Sequence, residues 1–265
     1  MTGPDPGELL ALATAVVREA GTLVLRRDAE MGVETKSSST DVVTAKDKAT
    51  ERLIVGRLRE ARPGDAVLGE EGGAQGRAAS GVRWLVDPID GTVNYLYGIP
   101  QYAVSLAAEV DGEIVAGVVF DPAKDELYAA TRGGGASCNG RRIACSDAAQ
   151  LATALVATGF SYDADRRARQ AALLGRLLPT VRDIRRMGAA SLDLCAVACG
   201  RVDGYYEKAL NPWDVAAGGL IATEAGARVG TLDGSRPTGD FLMAAAPGVY
   251  DALHDLLVEL RADQV

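Results

Sequence analysis

A short stretch in the first half of the chain decides the fold, Val82-Arg-Trp-Leu-Val-Asp-Pro-Ile-Asp-Gly-Thr92. Its first five residues are mostly apolar and predict a buried strand that ends at Asp87. Pro88 fixes the backbone of the following turn and donates no hydrogen bond. Asp90 comes one turn later. The stretch therefore predicts two carboxylates held on one rigid turn at the end of a strand.

Two carboxylates on such a turn suit a hard cation such as Mg²⁺, which prefers oxygen ligands. The carbonyl oxygen of Ile89 offers a further ligand. Thr92 begins a predicted short helix, so the backbone N–H groups of Gly91 and Thr92 would face an incoming phosphate. A plain surface turn is the alternative, because Asp, Pro and Gly are common turn residues. The stretch alone leaves both interpretations open.

Length and composition describe an ordinary globular protein and exclude some partners. The chain has 265 residues, of which 48% are hydrophobic and 24% charged, so it forms one large domain or two closely packed ones. The net charge is 28 − 36 = −8. Nucleic-acid binders usually carry a basic excess, so we expect no nucleic-acid partner. An anionic substrate would need positive charge from a metal ion.

The single histidine, His254, excludes whole classes of active site. Ser/His/Asp triads, Cys/His pairs and H-E-x-x-H zinc sites all need histidine. His254 lies in a predicted C-terminal helix without a partner of that kind, and we expect it to be an ordinary helix residue. Carboxylates, hydroxyls, lysines or a metal must therefore do the chemistry.

The cysteines and the hydropathy pattern point to the cytoplasm. None of the four cysteines forms a C-x-x-C motif, and two of them, Cys195 and Cys199, lie one helical turn apart in an apolar run. Free cysteines of that kind are typical of a reducing compartment. The N-terminus has no signal-peptide pattern, and no apolar run approaches the roughly 20 residues that span a bilayer.

Hydrophobic periodicity predicts an α/β protein whose two halves differ in the order of their helices and strands. The first half has two helices, at residues 8–27 and from 45, then strands at 66–69, 82–86, 102–110, 113–120, 127–131 and 142–145. Asp111-Gly112 and Asn139-Gly140 are predicted tight turns. After about residue 150, strands and helices alternate, which predicts α/β layers. We place a boundary between an N-terminal portion, 1–148, and a C-terminal portion, 149–265.

Four further acidic residues lie on predicted strand ends or helix starts. Glu70 and Glu71 end a strand between glycines, and Asp214 falls in the first turn of a helix after Pro212-Trp213. Asp47 lies near the start of the second helix. N-capping is the ordinary explanation for Asp47 and Asp214.

Taken together, these segments resemble the inositol monophosphatase family over nearly the whole chain. The resemblance is carried by Gly69-Glu-Glu71, Asp87-Pro-Ile-Asp-Gly-Thr92, Trp213-Asp-Val-Ala-Ala-Gly218, Lys36-Ser-Ser, Asp41-x-Val-Thr44-x-x-Asp47, Arg186-x-Gly188, Ala190 with Leu194-Cys195, and Tyr205-Tyr-Glu207. It implies a layered α/β/α/β/α sandwich, usually a homodimer. It also implies a lithium-sensitive, Mg²⁺-dependent phosphoric monoester hydrolase that acts on a small phosphorylated polyol.

The resemblance also assigns roles to residues. It implies that Glu70, Asp87 and the Ile89 carbonyl bind one Mg²⁺, that Asp87, Asp90 and Asp214 bind a second, and that some members use a third near Glu70. Glu70, Asp47 and Thr92 are the expected catalytic residues, with Asp47 and Thr92 activating the attacking water. Gly91 and Thr92 would hold the phosphate. Asp90, Ala190 and Glu207 would contact the polyol.

The chemistry is consistent with this composition. Two Mg²⁺ ions about 3.5–4 Å apart can neutralise the carboxylates and the ester, lower the pKa of a bound water and stabilise the leaving alkoxide without histidine. The substrate stays open: inositol monophosphate is the first hypothesis, and histidinol phosphate, fructose 1,6-bisphosphate or 3′-phosphoadenosine phosphate are alternatives. A third hypothesis is a regulatory protein partner that retains the fold.

Overall fold

A computed structural model describes residues 4–26, 32–36, 42–235, 237 and 240–265. Within them the helices are α1 Pro6–Leu25, α2 Ala45–Ala61, α3 Thr92–Tyr97, α4 Ala164–Leu177, α5 Ala190–Ala198, α6 Pro212–Glu224 and α7 Pro247–Glu259. The strands are β1 Val33–Thr35, β2 Val42–Thr44, β3 Ala66–Gly69, β4 Gly73–Gln75, β5 Val82–Asp90, β6 Ala103–Val110, β7 Glu113–Asp121, β8 Glu126–Thr131, β9 Gly135–Cys138, β10 Arg141–Arg142, β11 Leu155–Thr158, β12 Asp183–Arg185, β13 Gly204–Lys208, β14 Arg228–Gly230 and β15 Phe241–Ala245.

Two main sheets organise these elements. The larger has eight strands in the order β10-β9-β8-β7-β6-β5-β3-β4, and the smaller has five in the order β12-β11-β13-β15-β14. In the larger sheet β3 and β5 pair in parallel and the other neighbours are antiparallel. In the smaller sheet β11 runs parallel to β12 and β13. The strands β1 and β2 form a separate antiparallel pair.

Alternation along the strands of the larger sheet separates two cores. Trp84 and Val86 of β5 pack with α1 and α2 on one face. Leu85, between them in sequence, packs with α5 and α6 on the other face. A period of two along a strand sends successive side chains to opposite faces, so a strand that is apolar on both faces must be covered on both. The larger sheet is therefore a middle layer.

The smaller sheet repeats this arrangement and completes five layers. Its residues Tyr205 and Ala244 face the core that contains α5 and α6. The adjacent Tyr206 and Met243 face a third core, with Leu173 of α4 among its members. The order of layers is α1/α2, larger sheet, α5/α6, smaller sheet, α4/α7, which confirms the predicted α/β/α/β/α sandwich.

Most predicted elements of this fold are present, with bounds that differ in places: the helix predicted at 8–27 runs from Pro6 to Leu25. Asp111 and Asn139 have φ of 51° and 49°, and each is followed by a glycine with positive φ, as the tight turns require. The predicted strand at 142–145 was wrong beyond Arg142, because the Cys145 N–H donates to Ala225 O instead of a strand. The strand predicted at 82–86 is longer than expected, because β5 continues past Asp87 to Asp90.

Some predictions fall outside what the structure tests. Residues 27, 37–40 and Asp41 lie outside the described residues. The boundary at 148/149 stays a prediction; strands of the larger sheet lie within 66–142 and those of the smaller within 155–245, with α5 and α6 packed between them. None of the described helices is both long enough and apolar enough for a membrane span.

Candidate active site

One cavity of about 640 Å³ collects the predicted site residues. Its lining includes Glu70, Asp87, Ile89, Asp90, Gly91, Thr92, Ala190, Glu207 and Asp214. These residues come from the end of β5, the start of α3, the turn after β3, the start of α5, β13 and the start of α6. Of the predicted site residues only Asp47 is not part of the lining. Acidic side chains that are far apart in sequence thus converge on one space.

A break in strand register shapes the end of β5. Asp87 pairs with Ser105 of β6 and Asp90 pairs with Ala103, so the pairing shifts between them. An irregularity of this kind accommodates a residue without an N–H group, which here is Pro88. Asp87 Oδ1 accepts the N–H of Ile89 at 3.1 Å. Asp87 is 2% exposed, so this turn is rigid and its carboxylate is almost fully desolvated.

Asp90 joins the two halves of the chain. Its Oδ1 accepts the N–H of Ala190 at 3.1 Å. Its Oδ2 accepts the N–H and the hydroxyl of Ser191 at 2.7 and 2.5 Å. Because no side chain caps α5 from its own N-cap position, Asp90 supplies that cap from 100 residues earlier in the chain. The Ala190 N–H, which lies at a predicted polyol contact, is therefore engaged with Asp90.

The turn that carries Glu70 is held from below by a buried glutamate. The N–H groups of Glu71 and Gly72 donate to Glu51 Oε2 and Oε1, each at 2.8 Å. A Cβ on Gly69 would lie 2.6 Å from the Glu51 carboxylate, so only glycine leaves the space. Lys36 Nζ lies 2.6 Å from Glu70 Oε1 and 2.5 Å from Glu71 Oε1.

Thr92 connects the cavity to Asp47, which lies behind it. Thr92 Oγ1 is 3.0 Å from both Asp47 Oδ1 and Ile89 O, so its one proton is donated to one of these oxygens at a time. Asp47 Oδ2 accepts the N–H of Thr44 at 2.8 Å and also its hydroxyl. This capping box confirms the ordinary N-capping explanation for Asp47. Asp47 reaches the cavity only through Thr92.

Asp214 also combines capping with a place in the cavity. It is the third residue of α6, and its Oδ2 accepts the N–H of Asn211 at 2.6 Å. Its carboxylate lines the same cavity as that of Asp87. The capping explanation is therefore confirmed, and the metal-binding role of the same carboxylate stays a prediction.

Glu207 is packed tightly at the side of the cavity. The Tyr205 hydroxyl donates to Glu207 Oε2 at 2.8 Å. A Cβ on Gly159 would lie 1.9–2.1 Å from the Glu207 carboxylate, so the glycine at this position is what lets the carboxylate sit there. Gly91, with φ of 88°, turns the chain from β5 into α3. A Cβ on Gly91 would lie 2.9 Å from Gln101 O.

Burial and mutual repulsion raise the pKa values of these carboxyls. Burial, followed by the charges of Glu70, Asp90 and Asp214, raises the pKa of Asp87 well above its usual value. Burial raises the pKa of Glu70 to about 7, although Lys36 opposes the increase. Burial also raises the pKa of Glu207 to about 7 against the hydroxyl of Tyr205. A cation would relieve this repulsion, and an all-oxygen donor set suits a hard one.

The carboxylates do not close a cage by themselves. In the portion of the chain that is described, no three acidic, histidine or cysteine side chains come together closely enough to hold a metal ion without rearrangement. The charges of three neighbouring carboxyls nevertheless act on Asp87 and raise its pKa; they belong to Glu70, Asp90 and Asp214. The donor set therefore fits a hard cation by its chemistry, since all of its donors are oxygens.

Comparison with known proteins identifies the family. The model of the inositol monophosphatase family matches residues 5–265. The chain belongs to the inositol monophosphatase family. The inositol-1-monophosphatase of Mycobacterium leprae is 47% identical over 96% of this chain and 95% of that protein. This likeness over nearly the full length makes the chain a phosphatase.

Further proteins similar to this chain carry different names. The structure of Mycobacterium tuberculosis SuhB is 43% identical, with a TM-score of 0.84 over 97% of this chain and 98% of that one. The Nus factor SuhB of Escherichia coli K12 is 39% identical over 92% of this chain and 94% of its own. A structure described as an IMPase/NADP phosphatase complexed with Mg²⁺ and phosphate is 26% identical, with a TM-score of 0.84 over 95% of both chains.

The structure also adds residues that sequence reasoning missed. In the sequence, Glu51 is one polar residue among several in α2. Only the fold shows that its carboxylate accepts a hydrogen bond from the turn that carries Glu70. Asp193 of α5 is 1% exposed, and neither of its carboxyl oxygens has a hydrogen-bond partner among the described residues. Ser161 and Tyr162, to which the sequence assigned no role, line the cavity. His254 of α7 contacts its neighbour Asp255 and the carbonyl oxygen of Leu232, which lies between β14 and β15.

Proposed function

We propose that this phosphatase hydrolyses inositol monophosphates to inositol and inorganic phosphate, with Mg²⁺ as its cofactor. The observation that carries the proposal is the convergence of Glu70, Asp87, Asp90 and Asp214 on one cavity. Four carboxylates in one buried space repel a phosphate monoester, so a cofactor of positive charge is needed before such a substrate can enter. The relative complexed with Mg²⁺ and phosphate supports this choice of metal.

The residues that would hold the metal are those predicted from the sequence. Glu70, Asp87 and the Ile89 carbonyl would hold one Mg²⁺, and Asp87, Asp90 and Asp214 a second, with a possible third near Glu70. When bound, Mg²⁺ supplies Lewis acidity, which activates a water and stabilises the leaving oxygen. Asp87 is shared in this assignment. Its burial and rigid turn suit it to fix the position of both ions.

Thr92 and Asp47 would orient the attacking water. When the Thr92 hydroxyl donates its proton to Asp47, its oxygen can accept a hydrogen bond from the water. Asp47 fixes the direction of that hydroxyl and acts as a positioning residue, because it has no surface in the cavity. Glu70, which lines the same cavity, would complete the catalytic set.

The remaining residues would bind the substrate. The N–H groups of Gly91 and Thr92 would hold the phosphate at the start of α3. Glu207 would accept hydrogen bonds from polyol hydroxyls, since its carboxylate is fixed by Tyr205 and by the absence of a side chain at Gly159. Asp90 and Ala190, joined by their own hydrogen bond, would form the wall beside it.

A panel of phosphate esters tests this function. Purified protein is incubated with inositol 1-phosphate, histidinol phosphate, fructose 1,6-bisphosphate and 3′-phosphoadenosine phosphate, with and without Mg²⁺, and released phosphate is measured. We expect Mg²⁺-dependent release from inositol 1-phosphate, with the highest kcat/KM of the four esters. Preference for another ester would change the substrate and keep the mechanism. No release from any ester would overturn the proposal.

A second candidate is a role in binding a regulatory protein. It is favoured by the likeness to the protein named Nus factor SuhB, which is 39% identical. A pull-down with the inactive Asp87→Asn variant tests it, because the surface is unchanged by that substitution. Cytoplasmic location, a homodimer and inhibition by lithium also stay predictions, which fractionation, light scattering and a lithium titration would check.

A further inference from the structure

One buried amide joins α3 to two distant stretches of backbone. Asn94, the third residue of α3, is 8% exposed. Its Nδ2 donates to Gln101 O and to Met187 O, each at 2.8 Å. Gly188 O lies 3.4 Å from the same nitrogen. Both N–H groups of the amide are therefore used, and each reaches a carbonyl oxygen of a different segment.

The carbonyl oxygens around Asn94 also pack against the turn that leads into α3. A Cβ on Gly91 would lie 2.9 Å from Gln101 O and 3.2 Å from Gly188 O. A Cβ on Gly188 would lie 2.9 Å from Asn94 Nδ2. This packing leaves little free space, so the amide of Asn94 fixes the same backbone that contacts Gly91.

The backbone of residues 187–191 is held at a second point by Asp90. The carboxylate of Asp90 accepts the N–H groups of Ala190 and Ser191, at 3.1 and 2.7 Å. Asp90 comes just before Gly91 in the chain, and Asn94 comes two residues after Thr92. The turn at residues 91–92 is therefore fixed against residues 187–191 from both of its sides.

The two structures joined in this way would bind different parts of one substrate. Gly91 and Thr92 are proposed to hold the phosphate, and Asp90 and Ala190 to form the wall beside the polyol. A polyol phosphate spans both, so the distance between the turn and the wall must match the ester. A misplacement of about 1 Å, even one that arises far from the reacting atoms, can lower a rate about 10²-fold.

We propose that Asn94 is a positioning residue that fixes the 91–92 turn relative to the wall formed by Asp90 and Ala190, and that it thereby favours polyol phosphates over esters whose leaving group does not contact that wall. The proposal rests on the proposed function. Asn94 is not part of the cavity lining. It acts through the backbone carbonyl groups that it binds, and the hydrolysis itself is unchanged.

Steady-state kinetics with two esters tests this role. Phosphate release with saturating Mg²⁺ is measured for inositol 1-phosphate and for phenyl phosphate, whose leaving group has no further hydroxyl. In Asn94→Ala, kcat/KM for inositol 1-phosphate should fall about 10²-fold and that for phenyl phosphate less than about tenfold. The ratio of the two kcat/KM values should therefore fall at least about tenfold.

A variant of the same shape separates the hydrogen bonds of Asn94 from its volume. Asn94→Asp keeps the size of the side chain and places an oxygen, in place of the N–H donor, against the carbonyl oxygens. The ratio should fall as far as in Asn94→Ala. If Asn94→Ala does not fold, Asn94→Asp decides alone. A ratio kept in Asn94→Asp would contradict the proposal, because the donor would then not be needed.

Asn139→Gly is the matched control. Asn139 lies in the turn between β9 and β10, outside the cavity lining, and its Nδ2 donates to Asp125 O at 2.8 Å. The substitution removes the same kind of bond, and glycine accepts the φ of 49° at this position. The ratio should stay as in the unmodified protein.

Hydrogen exchange of the metal-free protein gives a readout without turnover. Peptides that cover Ala190 and Ser191 should exchange faster in both Asn94 variants than in the unmodified protein, because one of the two attachments of residues 187–191 is lost. Peptides that cover β11 should exchange as in the unmodified protein. Asn139→Gly should change neither set.

An unchanged ratio in the Asn94 variants, or an equal loss with both esters, would overturn the proposal. The proposed function fails separately, if neither ester releases phosphate from the unmodified protein. In that case hydrogen exchange still decides whether Asn94 fixes this backbone: unchanged exchange at Ala190 and Ser191 contradicts it, and faster exchange confined to the Asn94 variants supports it.

Discussion

The floor and the rim of the cavity are built in opposite ways. The floor consists of Glu70, Asp87, Asp90 and Asp214, and the rim of the 161–166 segment with Arg186. Each of the four floor residues is fixed by a hydrogen bond or ion pair that involves its carboxylate or its backbone. At the rim the hydrogen bonds are made by the backbone of the 161–166 segment, and the side chains of Arg166 and Arg186 form none among the described residues. Chemistry that needs fixed geometry can rest on the floor, and substrate choice can rest on the rim.

The largest effect is expected from a substitution of Asp87, the floor residue assigned to both proposed metal positions. Asp87→Asn keeps the size and the acceptor for the Ile89 N–H, and it removes the charge shared by both proposed metal positions. Turnover should fall by about 10³-fold, the upper end of what one lost electrostatic group costs. The melting temperature of the metal-free protein should rise, because the substitution removes a buried charge that its neighbours repel. Turnover within tenfold of the unmodified protein at saturating Mg²⁺ would contradict the shared role.

A smaller effect is expected at Thr92, which is proposed to orient the attacking water. Thr92→Ala removes the hydroxyl that links the cavity to Asp47. kcat should fall about 10²-fold, as for loss of a group that handles a proton, with little change in KM. Thr92→Ser, which keeps the hydroxyl, is the control and should retain most of kcat. A change confined to KM would show that Thr92 binds substrate instead.

The support beneath the floor gives a third test. Glu51→Gln keeps one oxygen for the N–H of Glu71 or Gly72 and sets an amide against the other. The Mg²⁺ concentration for half-maximal activity should rise about tenfold, the size of effect seen when groups that orient metal ligands are changed. Glu60→Gln, on the exposed side of the same helix, should leave it unchanged. An unchanged Mg²⁺ requirement in Glu51→Gln would separate Glu51 from the metal site.

Glu207, at the side of the cavity, gives the smallest effect, which is on stability. The pKa of Glu207 is raised from 4.5 to about 7 by burial. In this pH range the unfolded chain loses its proton first, so metal-free protein should lose up to about 3 kcal/mol of stability from this group as pH rises from 4.5 to 7. Glu207→Gln should reduce that dependence in urea unfolding measured at pH 5 and pH 7.5. An equally steep dependence in the variant would place the titration elsewhere.

Local signals predicted the elements whose bonds are local. The turns at Asp111-Gly112 and Asn139-Gly140 and the caps at Asp47 and Asp214 are decided by residues within four positions of one another. Short strands such as β1, β4 and β14 were not predicted, because three residues carry too little pattern and depend on their partners. The extension of β5 through Pro88 depends on a register shift against β6, which no local rule contains.

The carboxylates of the floor follow from the sequence, since strand ends and helix starts place acidic residues where a family pattern can be recognised. Tertiary structure alone decided which side chains support them and which charges face them. Glu51, Lys36 and Asp90 act across 20, 34 and 100 residues of chain. Only the folded layers show that Arg166 and Arg186 share a cavity, because side chains from α4 and from the segment before α5 meet through packing and not through any pattern along the chain.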